Sequence, residues 1–396
     1  MASILIMNMS FQNRGDALMT EAIHERLGPS QRWAIAADVA FVCPGETRPY
    51  RVALVSGQPG RTLKQRIFNR SVSAARAAAA TLPRAVRDRS RLIMPADLDL
   101  ALDVCGYSFG DPWGQDRVDQ AIRTYRLLRR DGVKIVLMPR TWGPFTKINS
   151  RSLDRLFDEI NLAFARDERS LGLIQAEISP ANRQKLFFAP DYTHAVAPAR
   201  APAARNDKIA YLIPSSRVID SSTLSRERYL ALFASARVQL AEAGLKPKLL
   251  IHETANDMAF VAAAPQMGFV PDEVVVPGDA IAAKTLISNA SAVVTSRLHG
   301  LYNALNSLVP VAVVAWSFKY EEALKQYHCP ECLVDLSDLE PSLRQIIQMM
   351  TNPTSSAALK RSMVAGRKES ERESERMWAR IGRTANLDLN DIAEGE

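Results

Sequence analysis

Residues 293–305 read VVTSRLHGLYNAL, and this stretch joins an apolar run directly to a helical pattern. The apolar run, which begins at Ala292, predicts a buried strand. Leu301, Ala304 and Leu305 then repeat at the spacing of one helix face. A strand that passes into a helix within a few residues is typical of a parallel βα unit.

The same alternation continues along the whole chain. Before residue 195, strands are predicted at 3–8, 98–106, 133–139 and 185–191, with helices at 16–27, 116–130 and 150–164. After residue 207, strands are predicted at 208–214, 246–253, 273–277, 291–296 and 309–316, with helices at 226–243, 279–289 and 300–307. Short connections between alternating strands and helices imply right-handed βαβ units and a parallel sheet.

Two such series around a Pro- and Ala-rich stretch predict an α/β protein with two doubly wound, Rossmann-like parallel-sheet domains. A chain of 396 residues is also too long for one hydrophobic core. The predicted organisation is a first domain at 1–195, a linker at 196–207, a second domain at 208–350, and a C-terminal helix and tail at 351–396. Met377, Trp378 and Ile381 are expected to dock the charged C-terminal helix on one domain.

Composition excludes several classes of protein. No apolar run reaches the ~18 residues of a membrane-spanning helix, and the N-terminus reads as a strand rather than a signal peptide. Four cysteines give no disulfide framework. Cys329 and Cys332 form a single CxxC without a second pair at zinc spacing, so we expect two half-buried thiols rather than a metal or redox site. These features fit the reducing cytoplasm.

The net charge of +7 is concentrated in one segment, an insert at 60–92. Between Arg61 and Arg91 there are nine Lys or Arg residues and one acid, Asp88. The Ala-rich middle of the insert favours a helix. Two interpretations stay open: a solvated surface helix, or a basic patch that faces anionic lipid or an anionic acceptor. Nucleic acid is a weaker third interpretation, because no binding motif accompanies the charge.

The junction after the strand at 291–296 predicts an anion site. Ligands bind at the carboxyl ends of strands in open parallel sheets, and Ser296 is expected to cap a helix whose free N–H groups and dipole attract anions. Arg297 adds a planar fork that suits carboxylate or phosphate. His299 lies in the same first turn, where we expect it to be neutral until a bound dianion favours its protonation. On position alone, a local salt bridge for Arg297 and a gap-filling His299 are equally good interpretations.

Polar, glycine and cationic residues also follow other predicted strands. The stretches are QNRGDALM (12–19), CGYSFGDPWG (105–114), PRTWGPF (139–145), IPSSRVID (213–220) and AWSFKYEEA (315–323). Gly15 permits a close backbone approach, and Asp16 is predicted to open the first helix. Arg217 and Lys319 add positive charge in the second half. We expect these strand ends to converge on a cleft between the domains that holds a small, highly anionic ligand and a ligand rich in hydroxyls.

This set of motifs resembles the polysaccharide pyruvyl transferase family. The matching stretches fall in family order across residues 4–325, and they are NRGDALM, LDVCGYSFGDPWG, VLMPRTWGPF, FARDERS, APDY, IPSSRVID, SRLHGLYNAL and VPVAVVAWSFKYEEAL. The resemblance implies a two-domain fold like that of glycosyltransferase-B enzymes. It also implies transfer of the pyruvyl carbon skeleton from phosphoenolpyruvate to two sugar hydroxyls, which leaves a cyclic ketal and free phosphate.

The resemblance also implies roles for particular residues. The family's Arg-x-His pair maps onto Arg297 and His299. The family's anion-binding Arg early in the second domain maps onto Arg217. From the charges of the donor, we expect Lys319 and the helix terminus at Ser296 to hold its anionic groups together with Arg297 and Arg217. Further substrate contacts are expected from Asn13, Asp111 and Arg140, which belong to matching motifs in the first domain, the acceptor side.

The implied chemistry needs an acid and a base. Protonation of the donor's methylene carbon creates an oxocarbenium-like centre that a sugar hydroxyl attacks. Loss of phosphate regenerates such a centre, and a second hydroxyl closes the ketal. His299 is the expected acid, and Asp16 is the first choice of base, with Asp111 second. No metal or cofactor is required, because cationic side chains can neutralise the donor.

The expected partners are phosphoenolpyruvate and an oligosaccharide or lipid-linked saccharide of an exopolysaccharide, with no nucleic acid. The expected location is the cytoplasm, where the basic insert would allow peripheral contact with the cytoplasmic face of the inner membrane. Two alternatives stay open. One is a nucleotide-sugar-dependent glycosyltransferase of the same architecture, which would need an acidic residue for the ribose and a base-stacking pocket. The other is a non-catalytic sugar-binding relative.

Overall fold

The computed structural model describes residues 2–9, 13–37, 50–55, 62–199 and 208–387. By their contacts, these residues form two compact units, each of which contains one parallel sheet. As far as they are described, the segments of unit 1 are Met1–Phe11, Met19–Tyr192 and Glu373–Glu396, and those of unit 2 are Gln12–Leu18 and Thr193–Arg372.

Within the described residues, the sheet of unit 1 has eight strands in the spatial order β4-β3-β2-β1-β5-β6-β7-β8. The strands are β1 (Ser3–Met7), β2 (Arg32–Ala36), β3 (Arg51–Ala53), β4 (Leu92–Ile93), β5 (Leu100–Asp103), β6 (Lys134–Arg140), β7 (Leu162–Ala165) and β8 (Leu186–Phe188). Every residue of β1 and β5 is buried, as expected of central parallel strands covered on both faces. The chain order reverses between β1 and β5, which makes their carboxyl ends a topological switch point.

Helices connect the strands of unit 1. They are α1 (Arg14–Leu27), α2 (Leu63–Ala80), α3 (Arg84–Arg89), α4 (Gln115–Arg130), α5 (Ser150–Asp158), α6 (Glu168–Glu177) and α7 (Pro180–Arg183), with a 3-10 turn at Pro95–Asp97. The first residues of α1, up to Leu18, group with unit 2.

The sheet of unit 2 has five strands within the described residues, in the order β11-β10-β9-β12-β13. The strands are β9 (Ile209–Ile213), β10 (Lys246–Leu250), β11 (Val274–Val275), β12 (Ala292–Thr295) and β13 (Val311–Val313). Successive residues of β12 pack into different cores: Val294 joins a core with Phe233, and Val293 joins one with Leu301. Burial on both faces explains why these strands are continuous apolar runs.

The helices of unit 2 follow the same alternation. They are α8 (Arg217–Asp220), α9 (Arg226–Glu242), α10 (Thr254–Asp257), α11 (Ala259–Ala263), α12 (Ala280–Ser288), α13 (Leu298–Asn306), α14 (Lys319–Gln326), α15 (Leu339–Thr351) and α16 (Pro353–Ala385). Short 3-10 turns lie at Thr193–Ala195, Ala264–Met267, Pro271–Glu273 and Pro330–Cys332. From Glu373 onward, α16 groups with unit 1.

The helix predicted at 150–164 is wrong in its second half. The helix ends at Asp158, and Leu162–Ala165 is a strand that pairs with β6 and β8. All four residues of this strand are buried. The prediction failed because a short apolar run buried on both faces cannot be distinguished by its period from a buried helix segment.

The two ends of unit 2 also refine the sequence analysis. Most of the predicted linker, from residue 200 to residue 207, lies outside the described residues, whereas Ala199 donates its backbone N–H to the Thr285 hydroxyl at 3.0 Å. Met377, Trp378 and Ile381 of α16 are buried as expected. Cys329 and Cys332 are free thiols, but they are completely buried rather than half buried. None of the helices in the described ranges has the length and apolar character needed to cross a bilayer.

Candidate active site

The best-defined polar cluster of unit 2 lies at the carboxyl ends of its central strands. The chain order of this sheet reverses between β9 and β12, so the loops that follow these strands meet at a switch point, where open α/β sheets bind ligands. Ser215–Arg217 follows β9, His252–Asp257 follows β10, and Ser296–His299 follows β12. The cluster is therefore built from three adjacent strand ends.

The turn that leads into α13 is held by buried hydroxyl groups. The helix begins at Leu298, two residues earlier than predicted, and Arg297 occupies the N-cap position without a side-chain cap. The Thr295 hydroxyl accepts the backbone N–H of Arg297 at 3.0 Å. A Cβ added at Gly300 would lie 2.8 Å from this hydroxyl oxygen, which explains the glycine of SRLHG.

Ser296 does not cap α13, so that part of the sequence analysis is wrong. Its side chain is fully buried, and its hydroxyl is hydrogen-bonded to the Tyr229 hydroxyl. The Tyr229 hydroxyl also accepts the backbone N–H of Ser215 at 2.9 Å, and the Tyr320 hydroxyl donates to the Ser296 carbonyl at 2.6 Å. Ser296 thus ties the β12 loop to the β9 loop. Direct contact between Ser296 and a ligand stays a prediction.

Two carboxylates hold the guanidinium of Arg297. Nε and Nη2 donate to the two oxygens of Asp257 at 2.6 and 2.5 Å, and Nη1 pairs with Glu253. Asp257 also accepts the backbone N–H of Ser216 at 3.0 Å. Burial alone would lower the pKa of Arg297, but hydrogen bonding and charge from Asp257 and Glu253 outweigh it and raise that pKa. The guanidinium is therefore charged and fixed in orientation.

The first turn of α1 packs against the same loops. The nitrogens of Arg14 donate to four backbone carbonyls, those of Ile251, His252, Pro277 and Asp279. A Cβ added at Gly15 would lie 1.9 Å from Nδ1 of His299, so the imidazole rests directly on the glycine backbone. The NRGD motif, which follows a strand of unit 1, is thus part of the site in unit 2.

His252 is a second imidazole in this cluster. Its side chain is buried, and its Nε2 has no hydrogen-bond partner among the described residues. Burial, followed by the charges of His299, Arg297 and Arg14, holds the pKa of His252 well below its usual value. His252 is therefore neutral near pH 7.

The structure places the other predicted residues of unit 2 around this cluster. The Asn13 side chain accepts the backbone N–H of Gly15 at 3.0 Å, and its backbone bridges to Glu253. Asp16 is partly buried in the first turn of α1, which begins at Arg14 rather than at Asp16. Arg217 begins the short helix α8 and is half exposed. These positions leave the assigned roles as predictions.

Lys319 is buried at the start of α14. Its Nζ lies 4.5 Å from the centroid of the Trp316 ring, which is close enough for a cation–π interaction. The ring and the helix thus position this cation.

Arg140 of unit 1 has a structural role in place of the predicted substrate contact. Its side chain is completely buried, Nη2 pairs with Asp103 at 2.8 Å, and Nη1 donates to the Ser108 hydroxyl at 2.9 Å. Asp103 also accepts from the Tyr125 hydroxyl and from the Asn8 amide. A guanidinium so enclosed is out of reach of a sugar.

Asp111 stabilises a loop of unit 1. It accepts from the Thr146 hydroxyl at 2.7 Å and from the backbone N–H of Lys147 at 2.8 Å. Desolvation slightly opposes ionisation, but these hydrogen bonds outweigh it and lower the pKa of Asp111. Both interactions make this carboxylate a weaker base.

Sequence reasoning missed Glu253, Asp257 and His252, although a signal was present. The stretch IHETAND (251–257) spans the carboxyl end of the strand predicted at 246–253, and it brings an imidazole and two carboxylates to that strand end. Their partnership with Arg297 is a long-range contact, which local spacing does not reveal.

Comparison with known proteins adds family and fold. A sequence model of the family described as polysaccharide pyruvyl transferase matches residues 53–317. The match includes Arg217, Arg297 and His299, and it ends before Lys319. A search of curated proteins gives no match.

Three solved structures share the fold at low sequence identity. A candidate UDP-N-acetylglucosamine 2-epimerase from Listeria monocytogenes is 14% identical, with 98% of each chain covered and a TM-score of 0.60. MnaA of S. aureus, solved with UDP, is 11% identical, with 98% of each chain covered and a TM-score of 0.58. Alr3699/HepE of Anabaena, in complex with UDP and glucose, is 11% identical, covering 96% of this chain and 100% of that chain with a TM-score of 0.55. The predicted fold class, two Rossmann-like domains of glycosyltransferase-B type with a C-terminal helix, is confirmed.

Proposed function

Because this chain belongs to the polysaccharide pyruvyl transferase family, we propose that it moves the pyruvyl group of phosphoenolpyruvate onto two hydroxyls of one sugar residue. The products would be a cyclic ketal and phosphate. The observation that supports this most is the turn at residues 297–299, which carries both a guanidinium fixed by carboxylates and an imidazole that packs on the Gly15 backbone. Such a turn can bind an anionic ligand and give the same ligand a proton.

Both guanidinium groups of the cluster already have partners before the donor binds. Arg297 pairs with Asp257 and Glu253, and Arg14 binds backbone carbonyls and feels the charge of Asp279. The carboxylate and phosphate of the donor therefore need further cations. We assign this role to Arg217 and Lys319, and to the N-terminal end of α13, whose dipole also favours anions.

Arg297 would act as a rigid donor of hydrogen bonds. Its three nitrogens carry five N–H groups, of which the contacts to Asp257 and Glu253 use three. Two N–H groups are left over for a ligand oxygen by this count. Because the carboxylates fix the plane of the guanidinium, little side-chain entropy is lost when the donor binds.

His299 would supply the proton that turns the donor's methylene into a methyl group. In the overall balance, two sugar hydroxyls lose their protons, one proton goes to the methylene carbon, and the other leaves with phosphate. His252 is neutral, so it does not add a second positive imidazole beside His299. A dianionic donor then raises the proton affinity of His299 where the proton is needed.

Asp16 remains our choice of base. Asp16 follows Gly15, whose backbone contacts His299, the proposed acid. The Asp16 carboxylate therefore belongs to the segment on which the His299 imidazole packs. Asp111 is the weaker choice because its hydrogen bonds lower its pKa. The acceptor in this proposal is a sugar residue of an exopolysaccharide or of its lipid-linked repeat.

A second candidate is transfer from a nucleotide sugar. It is supported by the fold neighbours from S. aureus and Anabaena, whose structures hold UDP. In that case the cluster around Arg297 would bind a diphosphate rather than a phosphoenolpyruvate.

One experiment separates these functions. The protein is incubated with an oligosaccharide acceptor and either phosphoenolpyruvate or UDP-glucose, and phosphorus NMR follows the products. Pyruvyl transfer predicts acceptor-dependent release of inorganic phosphate, together with a new methyl signal on the sugar in proton NMR. Release of UDP alone would overturn the proposal in favour of a glycosyltransferase.

The variant His299→Ala tests the assigned acid in the same assay. We expect turnover to fall by roughly 100- to 10,000-fold, while donor binding measured by calorimetry stays within a few-fold of the wild type. Wild-type turnover in His299→Ala would remove His299 from the mechanism. Donor binding without turnover in the wild-type protein, over a panel of acceptors, would favour a non-catalytic sugar-binding protein.

A further inference from the structure

Two consecutive helices of unit 1, α2 and α3 with the turn between them, carry exposed apolar side chains. We call residues 63–89 the basic helix pair. Nine large apolar side chains are exposed in the described part of the chain, and four of them lie in this segment: Leu63, Ile67, Leu82 and Val86. Leu63 is 70% exposed and Ile67 is 54% exposed. A group of exposed apolar side chains indicates a surface that binds a partner, whereas single exposed apolar residues need no such explanation.

The apolar residues of α2 lie on opposite faces with different surroundings. Val72 and Ala79 are buried in a small core with Leu54, and this face anchors the helix to unit 1. Leu63 precedes Val72 by nine residues, which at about 100° per residue places it on the opposite side of the helix. Ile67 lies one turn from Leu63 on the same side. The outward face of α2 therefore carries two exposed apolar side chains at its N-terminal end.

Positive charge surrounds these outward apolar side chains. Lys64, Arg66 and Arg70 are all exposed, and the last two lie within about 60° of Leu63 around the helix. The single acid of the segment, Asp88, is paired with Arg51 at 2.5 Å, so it does not neutralise α2. The short helix α3 buries no residue and adds further cations.

We propose that the basic helix pair docks this protein on a membrane surface that is rich in anionic phospholipid. Leu63 and Ile67 would enter the boundary between head groups and acyl chains, and the flanking cations would face lipid phosphates. Leucine and isoleucine between Lys and Arg on an exposed helix face match the chemistry of an interfacial helix. A nucleic acid would be matched by exposed aromatic residues, whereas Phe68, the aromatic residue of α2, packs toward the small core.

This inference goes beyond the proposed function and does not depend on it. Vesicle binding requires neither donor nor turnover, so failure of the pyruvyl transfer proposal would leave the docking proposal standing. If both hold, docking would bring the enzyme to acceptors that are attached to lipid.

The test is flotation of the full-length protein with vesicles. Vesicles of phosphatidylcholine with about one-third phosphatidylglycerol are compared with vesicles of phosphatidylcholine alone, at low and high salt. We expect the protein to float with the anionic vesicles, and to bind them more weakly at high salt because the attraction is partly electrostatic. Equal binding to both vesicle types, or none to the anionic ones, would overturn the proposal.

Two variants and a matched control locate the surface. The variant K64Q/R66Q/R70Q is expected to lose roughly 100-fold in partition coefficient, since each cation near an anionic surface contributes roughly fivefold. The variant K360Q/R361Q/K368Q removes the same charge from exposed positions of α16 and should bind like the wild type. Equal losses in the two triple variants would mean that net charge alone is responsible, which would overturn the assignment to α2.

The variant L63S/I67S tests whether the two apolar side chains insert into the membrane surface. We expect at least tenfold weaker partitioning at low salt, because two inserted side chains lose most of their apolar area. Since both residues are exposed, the fold should persist, and circular dichroism checks it. Unchanged partitioning of a folded L63S/I67S would contradict insertion.

Discussion

Arg297 is held at its nitrogens by Asp257 and Glu253, and these contacts decide what its replacement should do. In Arg297→Lys the charge is kept, but the fully buried Asp257 loses the guanidinium that donates to both of its oxygens. We expect the free energy of unfolding to fall by about 2 kcal/mol, because charge-assisted hydrogen bonds to Asp257 are lost, and donor affinity to fall at least tenfold. Denaturant titration and calorimetry with phosphoenolpyruvate measure the two effects.

The control for this prediction is Arg217→Lys. The Arg217 side chain is half exposed, and its ion pair with Asp220 is long, at 3.9 Å. The free energy of unfolding should therefore change by less than about 0.5 kcal/mol. Arg217→Lys serves as the control for stability alone. If Arg297→Lys left both the free energy of unfolding and the donor affinity at their wild-type values, the fixed-guanidinium role of Arg297 would be wrong.

The neutral His252 predicts a dependence of stability on pH. Its pKa is lowered by burial and by the charges of His299, Arg297 and Arg14, whereas an unfolded histidine titrates near pH 6.5. Below about pH 6.5 the unfolded chain takes up a proton that the folded chain does not. The stability linked to neutral His252 is therefore fully present above about pH 6.5. On acidification below that pH, the free energy of unfolding falls by up to about 1.4 kcal/mol per pH unit.

Denaturant titrations of the wild type and of His252→Gln between about pH 5.5 and 7.5 measure this slope. We expect the slope of the free energy of unfolding against pH to be shallower in His252→Gln. Parallel slopes for the wild type and His252→Gln would show that His252 is not held neutral.

At the residue scale, the functional side chains at strand ends could be predicted from the sequence, but the residues that they contact could not. Arg297 and His299 stand out because neither is needed to bury a strand or to begin a helix. Asp257 pairs with Arg297 across 40 residues, and no local pattern encodes that pairing. Arg140 was misassigned because a polar residue at a strand end looks the same in sequence whether it faces a ligand or a buried carboxylate such as Asp103.

At the scale of elements, the segment that begins α1 contacts residues that are far from it in the sequence. The sequence places NRGD after β1, yet residues 13–18 group with unit 2. Arg14 binds backbone carbonyls, which every residue type offers, so its partners leave no trace in the sequence. Gly15 did carry a signal, since close backbone approach was expected there and His299 is what approaches.

Gly15→Ala tests this contact. A Cβ at position 15 would collide with the His299 ring, so the imidazole must move or α1 must shift. We expect transfer activity to fall at least 100-fold, because displacement of a catalytic group by about 1 Å can have that effect. Gly278→Ala is the control, since a Cβ there meets no atom within 4 Å, and it should keep near-normal activity. Comparable activity in both variants would contradict the contact.

The boundaries of elements show where sequence periodicity stops being informative. The alternation of strands and helices identified β9, β10, β12 and β13 because each is a continuous apolar run. The strand Leu162–Ala165 was taken for the end of α5, since four buried residues fit either period. The start of α13 was predicted two residues too late. Thr295, at the end of the strand, accepts the backbone N–H of Arg297 and holds the turn, whereas the Ser296 hydroxyl bonds to Tyr229 instead of capping the helix.

At the scale of the whole molecule, the fold class follows from repetition. Strand–helix alternation on both sides of a Pro- and Ala-rich stretch predicted two parallel sheets, and both are present. The family match at 53–317 and the fold neighbours agree with that architecture. The fold alone does not identify the donor, because two fold neighbours were solved with UDP. The proposal of phosphoenolpyruvate rests on the family match and on the local chemistry around Arg297 and His299.

A crystal structure with phosphoenolpyruvate bound tests that chemistry most directly. We expect a carboxylate or phosphate oxygen of the donor within about 3.2 Å of an Arg297 nitrogen, with the methylene carbon facing the imidazole of His299. A donor that binds elsewhere and touches neither residue would contradict the assignment of this site.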